Sequence, residues 1–140
     1  MISSMNAREK GKRGERQVAS WLNDFFAENL PHIQQPVFKR NLQQSMEGGH
    51  DLLNDLGLAV EVKRQETLHV EQWWKQCIDQ ANRLQGSPVL IWRRNGERKW
   101  NVKLRLGSAR WRGVEIGKNI DVVITQDEFE QFLVQYFSGK

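Results

Sequence analysis

The segment 58–64, Leu-Ala-Val-Glu-Val-Lys-Arg, constrains the fold more than any other part of the chain. Successive side chains of a strand point to opposite faces. Leu58, Val60 and Val62 therefore share one face, and Ala59, Glu61 and Lys63 the other. Upstream, Asn54-Asp55-Leu56-Gly57 carries turn residues able to take positive φ. Residues 50–53 then form the partner strand of a hairpin, with Asp51 facing the Glu61 strand. Two carboxylates about 4 Å apart repel by roughly 4 kcal/mol at an effective dielectric near 20. If helices cover that face, charges stand where apolar residues are expected, and a divalent cation gives both acids a reason to be there. The alternative is a surface Glu–Lys pair on a half-exposed strand, worth at most about 1 kcal/mol.

Helical spacing of Val18, Trp21, Leu22, Phe25 and Phe26 predicts a first helix over 6–26. At about 100° per residue, Glu15 falls inside that apolar stripe. A charge there is costly unless paired or metal-linked; the alternative is a first turn that runs past the core and leaves Glu15 wet. Pro31 and Pro36 bracket a loop, 37–41 is a short strand and 43–49 a polar loop. Val70, Trp73, Trp74, Cys77, Ala81 and Leu84 form the stripe of a second helix over 70–85, with Gly86 past its end. Gln80, at the stripe's edge, either binds a substrate phosphate or satisfies a backbone group. Val89 to Trp92 is continuously apolar, as in a buried strand. Asn95-Gly96 is a hairpin turn from which 99–104 pairs back. Residues 107–117 read as basic and irregular, and 121–124 as a further strand. Thr125 and Glu128 form a capping box for a last helix bearing Phe129, Phe132, Leu133, Tyr136 and Phe137 on one face. The order helix, strands, helix, strands, helix predicts an α/β single domain with a mixed sheet, which suits 140 residues.

The net charge is only +4, but residues 93–118 hold nine basic residues against two acidic ones, a surplus of seven. Arg8, Lys10, Lys12, Arg13 and Arg16 form a second cluster. Such clusters attract a phosphate backbone through counterion release; the alternative is a solvated surface. No apolar run approaches the roughly 20 residues that span a bilayer, so no membrane association is expected. The basic N-terminus lacks an apolar signal region, and Cys77 is alone, which together predict a reducing, cytoplasmic setting.

Asp51, Glu61 and Lys63 read Asp-x9-Glu-x-Lys, a pattern that suits phosphodiester hydrolysis. Asp51, Glu61 and the Val62 carbonyl are candidate ligands for Mg²⁺, with Glu15 as a third acid aimed at the same site. Lys63 is placed to position water and offset developing negative charge. Arg93 and Arg94, beside the Asn95-Gly96 turn, are phosphate-contact candidates or a solvated hairpin tip. Trp73 and Trp74 read as core, with a dimer interface or base stacking as alternatives. His32, His50 and His69 lack metal-ligand spacing; His50 reads as a neutral turn histidine.

The residues Gly11-Lys12-Arg13-Gly14-Glu15-Arg16, Gly49-His50-Asp51 and Val60-Glu61-Val62-Lys63 resemble the PD-(D/E)XK nuclease superfamily, and within it the archaeal-type Holliday junction resolvases that phages also encode. The likeness runs over about 10–104. It implies a restriction-endonuclease-like mixed sheet flanked by helices, Mg²⁺ dependence (with Mn²⁺ as substitute), branched double-stranded DNA as substrate and a homodimer. It gives Glu15, Asp51, Glu61 and Lys63 the catalytic positions, Arg13 a basic position before the helix acid, and Ser45 a substrate-contacting loop position. With the basic clusters, the DNA-contact candidates are Lys12, Arg13, Arg16, Lys39, Arg40, Ser45, Gln80, Arg93, Arg94, Arg110 and Arg112. His50 stands where the superfamily's proline is usual, and 105–140 is a C-terminal extension beyond the compact resolvase pattern. Phe132, Tyr136 and Phe137, or Trp73 and Trp74, are the candidates for a dimer interface. A phage source would put the protein in host cytoplasm. Two other readings remain: a restriction-type or flap-cutting PD-(D/E)XK enzyme, and a non-catalytic nucleic-acid-binding protein.

Overall fold

A long helix crosses one face of a mixed sheet and sets the frame for the rest. The computed structural model describes residues 2–42 and 51–140. Helix α1 (Ile2–Asn29) is longer at both ends than the 6–26 expected. Val18, Leu22 and Phe26 are buried at successive turns, and Leu30 closes the stripe before Pro31. The strands are β1 (Lys39–Arg40), β2 (Leu52–Leu53), β3 (Leu58–Gln65), β4 (Ser87–Arg94), β5 (Asn101–Trp111) and β6 (Val114–Thr125). They lie in sequence order in one sheet. All neighbours are antiparallel except β3 and β4, which helix α2 (Val70–Leu84) connects in parallel. Helix α3 (Gln126–Phe137) follows β6 directly.

Alternation along the strands builds two cores. Val60, Val62, Val89, Ile91, Val102 and Leu104 meet Leu22 and Phe26 of α1 and Phe129, Leu133 and Phe137 of α3 on one face. Leu90 and Trp92 meet Trp73, Trp74 and Cys77 of α2 on the other. The sheet is therefore covered by helices on both sides, and the Glu61 face is an inner one, since Cys77 Sγ donates to the Ala59 carbonyl 3.7 Å away. Trp73 and Trp74 fill this second core, which withdraws them as interface or stacking residues. Phe137 is likewise buried, while Tyr136 remains exposed.

Residues 107–117 are paired strand and turn, with a register shift between Ala109 and Arg110. β5 and β6 form one long hairpin closed by Arg112-Gly113, whose φ values of 52° and 82° fit a two-residue turn with both central residues left-handed. Arginine is an unusual first residue for such a turn, so the sequence signal went instead to Asn95-Gly96, which opens a longer connection, 95–100, between β4 and β5. The left-handed cap of α2 is Gln85 (φ 55°), not Gly86. Gly86 is a close-approach residue: a Cβ there would sit 3.2 Å from the Gly57 carbonyl oxygen. The turn before β3 is fastened by Asn54, whose Oδ1 accepts from the Leu56 and Leu58 amides and whose Nδ2 donates to the Leu52 and Leu58 carbonyls. The capping box at Thr125 and Glu128 is present in both directions. Residues 105–140 supply the distal hairpin and α3, and α3 closes the main core. Among the described residues no helix is long and apolar enough to cross a membrane.

Candidate active site

Asp51, just before β2, is fixed through its backbone on both sides. Its amide donates to the Val60 carbonyl at 2.8 Å, and its own carbonyl accepts from the Asn41 amide at 2.9 Å. Leu52 pairs with Val60, and β2 is too short to serve the rest of β3. The Asp51 carboxylate takes over: Oδ2 accepts the Val62 amide at 2.7 Å. A side chain thus replaces a strand as partner of β3, and this turns the carboxylate towards Glu61. Asp51 is 3% exposed and Glu61 6%, the two buried acidic side chains of the described residues.

Burial pushes the Glu61 carboxyl up to about 9, the Asp51 charge and a hydrogen bond to Asp51 push the same way, and Lys63 opposes them. Without a cation, this pair therefore holds a proton at neutral pH. Glu15 is raised in the same direction, first by burial, then by the charge on Asp51, against Arg40 and Lys63. Glu15 thus borders the site, as its place in the α1 stripe predicts. It does so as the partner of Arg40, whose Nε lies 3.4 Å from Oε1. Among the described residues no three acids, histidines or cysteines form a metal-holding cluster. Glu15, expected as a third ligand, stands beside the Asp51–Glu61 pair because Arg40 takes up its charge. Val62, expected through its carbonyl, enters here through its amide.

The donor chemistry nonetheless fits a hard divalent cation. Both groups are carboxylates, they repel each other, and the proton on Glu61 is what a cation would displace. A small divalent ion needs only one or two carboxylates, with waters and substrate phosphate completing its shell. Lys63 follows Glu61 on the same face of β3 and is half-buried beside it.

The basic candidates divide. Lys12, Arg13 and Arg16 are exposed on α1 around Glu15, and Lys39 is exposed on β1. Arg94 is exposed at the end of β4, and Arg110 and Arg112 are exposed at the tip of the distal hairpin, where Arg110 donates to the Gly113 carbonyl. Arg40 is engaged by Glu15. Arg93 is no free hairpin tip: it donates to the Gln17 side chain and to the Glu97 and Arg98 carbonyls. Gln80 is half-buried on α2. Ser45 and His50 lie outside the described residues. Sequence reasoning missed Arg64 and Gln17, which meet Arg93. The parallel register of β3 and β4 brings Arg64 beside Arg93, and the packing of α1 brings Gln17 to both.

A model of the family described as "Phage putative PDDEXK endonuclease" matches residues 6–135. The match runs from within α1 to within α3, so it takes in the acidic pair, Lys63 and the distal hairpin alike. No curated protein matches the sequence. PD-(D/E)XK nucleases typically use divalent metals, in keeping with the paired carboxylates. Nearly the whole chain is matched, and its single mixed sheet with flanking helices has the restriction-endonuclease-like form; the chain belongs to this PD-(D/E)XK endonuclease family.

Proposed function

We propose that the protein is a Mg²⁺-dependent DNA endonuclease whose substrate is branched DNA, a four-way junction above all. The observation that supports catalysis is the buried Asp51–Glu61 pair flanked by Lys63. A protein that only binds nucleic acid has no use for two repelling carboxylates inside a basic surface. Asp51, Glu61 and the Val62 carbonyl would hold the ion, which when bound supplies Lewis acidity at the scissile phosphate and a lower pKa for the attacking water. Lys63 orients that water and offsets the negative charge that builds up as water adds to phosphorus and a P–O ester bond breaks. The Val62 amide fixes the rotamer of Asp51, and Arg40 holds Glu15 against the cleft. The four-way junction rests on the resemblance of the 10–104 motifs to junction resolvases, and Mg²⁺ on the hard oxygen donors.

Cutting two strands of a junction in one encounter asks for two such sites, hence a two-fold dimer. Surface left for it includes the open groove of about 390 Å³ between β5–β6 and α3, lined by Leu106, Val122, Ile124 and Phe132.

The test offers labelled four-way junction, flap, linear duplex and single strand in parallel, with Mg²⁺. The expected result is cutting of the junction by the wild type and none by Asp51→Asn, which still binds DNA. Full activity of Asp51→Asn, or in excess EDTA, overturns the metal site. Preferential cutting of flap or linear duplex removes the junction and leaves the nuclease.

A further inference from the structure

Beside the acidic pair, on the other face of the same strand, lies an excess of positive charge. Arg64 follows Lys63 and points towards α1. In the parallel register of β3 and β4 it stands directly beside Arg93. Neighbouring strands run about 4.8 Å apart, so two permanent cations are held side by side. Both converge on one neutral oxygen: Gln17 Oε1 accepts from Arg64 Nη1 at 3.3 Å and from Arg93 Nη2 at 2.9 Å. Among the described residues neither arginine makes a close ion pair, such pairs being made by Arg40, Lys99, Lys103 and Arg105, and the Glu97 charge offsets Arg93 only from a distance. The Nε of each is buried with no acceptor at all.

This is costly for a folded protein taken alone. Like charges repel, and buried donors without acceptors forfeit their hydration. Arg93 is nevertheless well fixed, stacked 4.6 Å over the Trp100 ring and tied to the Glu97 and Arg98 carbonyls. Gly14 lets α1 come this close, since a Cβ there would lie 3.3 Å from Arg64 Cβ and 3.7 Å from Trp100 Cη2. The same helix turn carries Glu15 to the acidic pair and presents Arg13 to solvent. A rigid, electron-poor pair of guanidinium forks is suited to an oxyanion with several acceptor oxygens.

We propose that Arg64 and Arg93, held by Gln17, form a clamp for a DNA backbone phosphate. This rests on the nuclease reading above. The terminal nitrogens of Arg64 and Arg93 grip the phosphate, Gln17 keeps the forks apart and aligned, and the exposed Arg13 and Arg16 carry the backbone on along α1. The clamp anchors the DNA backbone and carries no base specificity.

Gln17→Glu is the informative variant, because it puts a carboxylate where the clamp expects a phosphate. It should raise the melting temperature and weaken DNA binding together, a pairing that a purely structural cluster would not give. The log K against log[salt] slope on linear duplex, measured in EDTA, should flatten by about 0.9 for each lost contact. Arg64→Gln should weaken binding and flatten the slope as well. Lys99→Gln, whose parent amine is bonded to Asp127 at 2.8 Å, is the control and should change neither. If the wild type binds and cuts DNA while Gln17→Glu and Arg64→Gln keep wild-type affinity and slope, the clamp is overturned and the nuclease stands. If the wild type neither binds nor cuts any DNA, both fall.

Discussion

Glu61 illustrates how one residue can oppose folding for the sake of a site. Its carboxyl is pushed up to about 9, first by burial and then by Asp51. The unfolded chain ionises this group near 4.5, while the folded chain still holds the proton. The folded state then binds more protons across that window, so stability falls as pH rises from about 4.5 to 9. Glu61→Gln removes the penalty. In metal-free buffer at pH 8 the variant should melt above the wild type, and the gap should narrow towards pH 5. Mg²⁺ should raise the wild-type melting temperature by preferential binding to the folded state and leave the variant unmoved. Equal melting curves for the two proteins, with the same response to Mg²⁺, would mean that Glu61 neither strains the fold nor meets the ion. Cys77 tells a simpler story: burial, with help from Glu61, pushes its thiol up to about 12, so it packs against the sheet as a neutral group.

Among the elements, α3 is the most locally specified. Thr125 accepts the Glu128 amide at 3.1 Å, and the Glu128 carboxylate accepts the Thr125 amide at 2.8 Å. The helix then buries Phe129, Leu133 and Phe137 in the main core, and α1 reaches it through the Trp21–Glu130 hydrogen bond. Thr125→Ala should cost about 0.5–2 kcal/mol in a denaturant titration, with DNA cleavage at low temperature unchanged. A shift in the midpoint of unfolding too small to detect would show that the core, not the cap, holds α3. The β5–β6 hairpin is the opposite case. Its tip leaves the core altogether, with Trp111, Val114 and Ile116 more than half exposed beside Arg110 and Arg112.

At the scale of the whole molecule, sheet order decides where the buried acidic pair lies. The short β2 leaves part of β3 without a backbone partner, and Asp51 fills the gap on the side away from the parallel β4. The long hairpin and α3 build the other end of the sheet, where Leu106, Val122, Ile124 and Phe132 line an open apolar groove. If this groove seats a second copy, light scattering at micromolar protein should give twice the 16.4 kDa chain mass, and Ile124→Glu should return it to the monomer. A wild type that stays monomeric on junction DNA would remove the dimer and the junction-resolving reading with it.

What the sequence determined by itself is what short-range physics encodes. Helical period placed α1, α2 and α3; alternation and turn residues placed the segments carrying Asp51 and Glu61; and the misfit of Glu15, Glu61 and Lys63 against apolar stripes singled them out as candidates. Each of these signals is contained within a few turns or one strand pair. The tertiary structure decided whatever depends on which distant segments meet. It showed that Asp51 substitutes for a missing strand at Val62, that Glu15 is held by Arg40, and that Arg93 turns inward to Gln17. It also turned 107–117 into a paired hairpin with one bulge, because cross-strand pairing with β6 outweighs a local composition that reads as loop. The Arg64–Arg93 pair is the clearest instance: 29 positions apart in sequence, the two become neighbours only through the parallel register of β3 and β4, which no local pattern records.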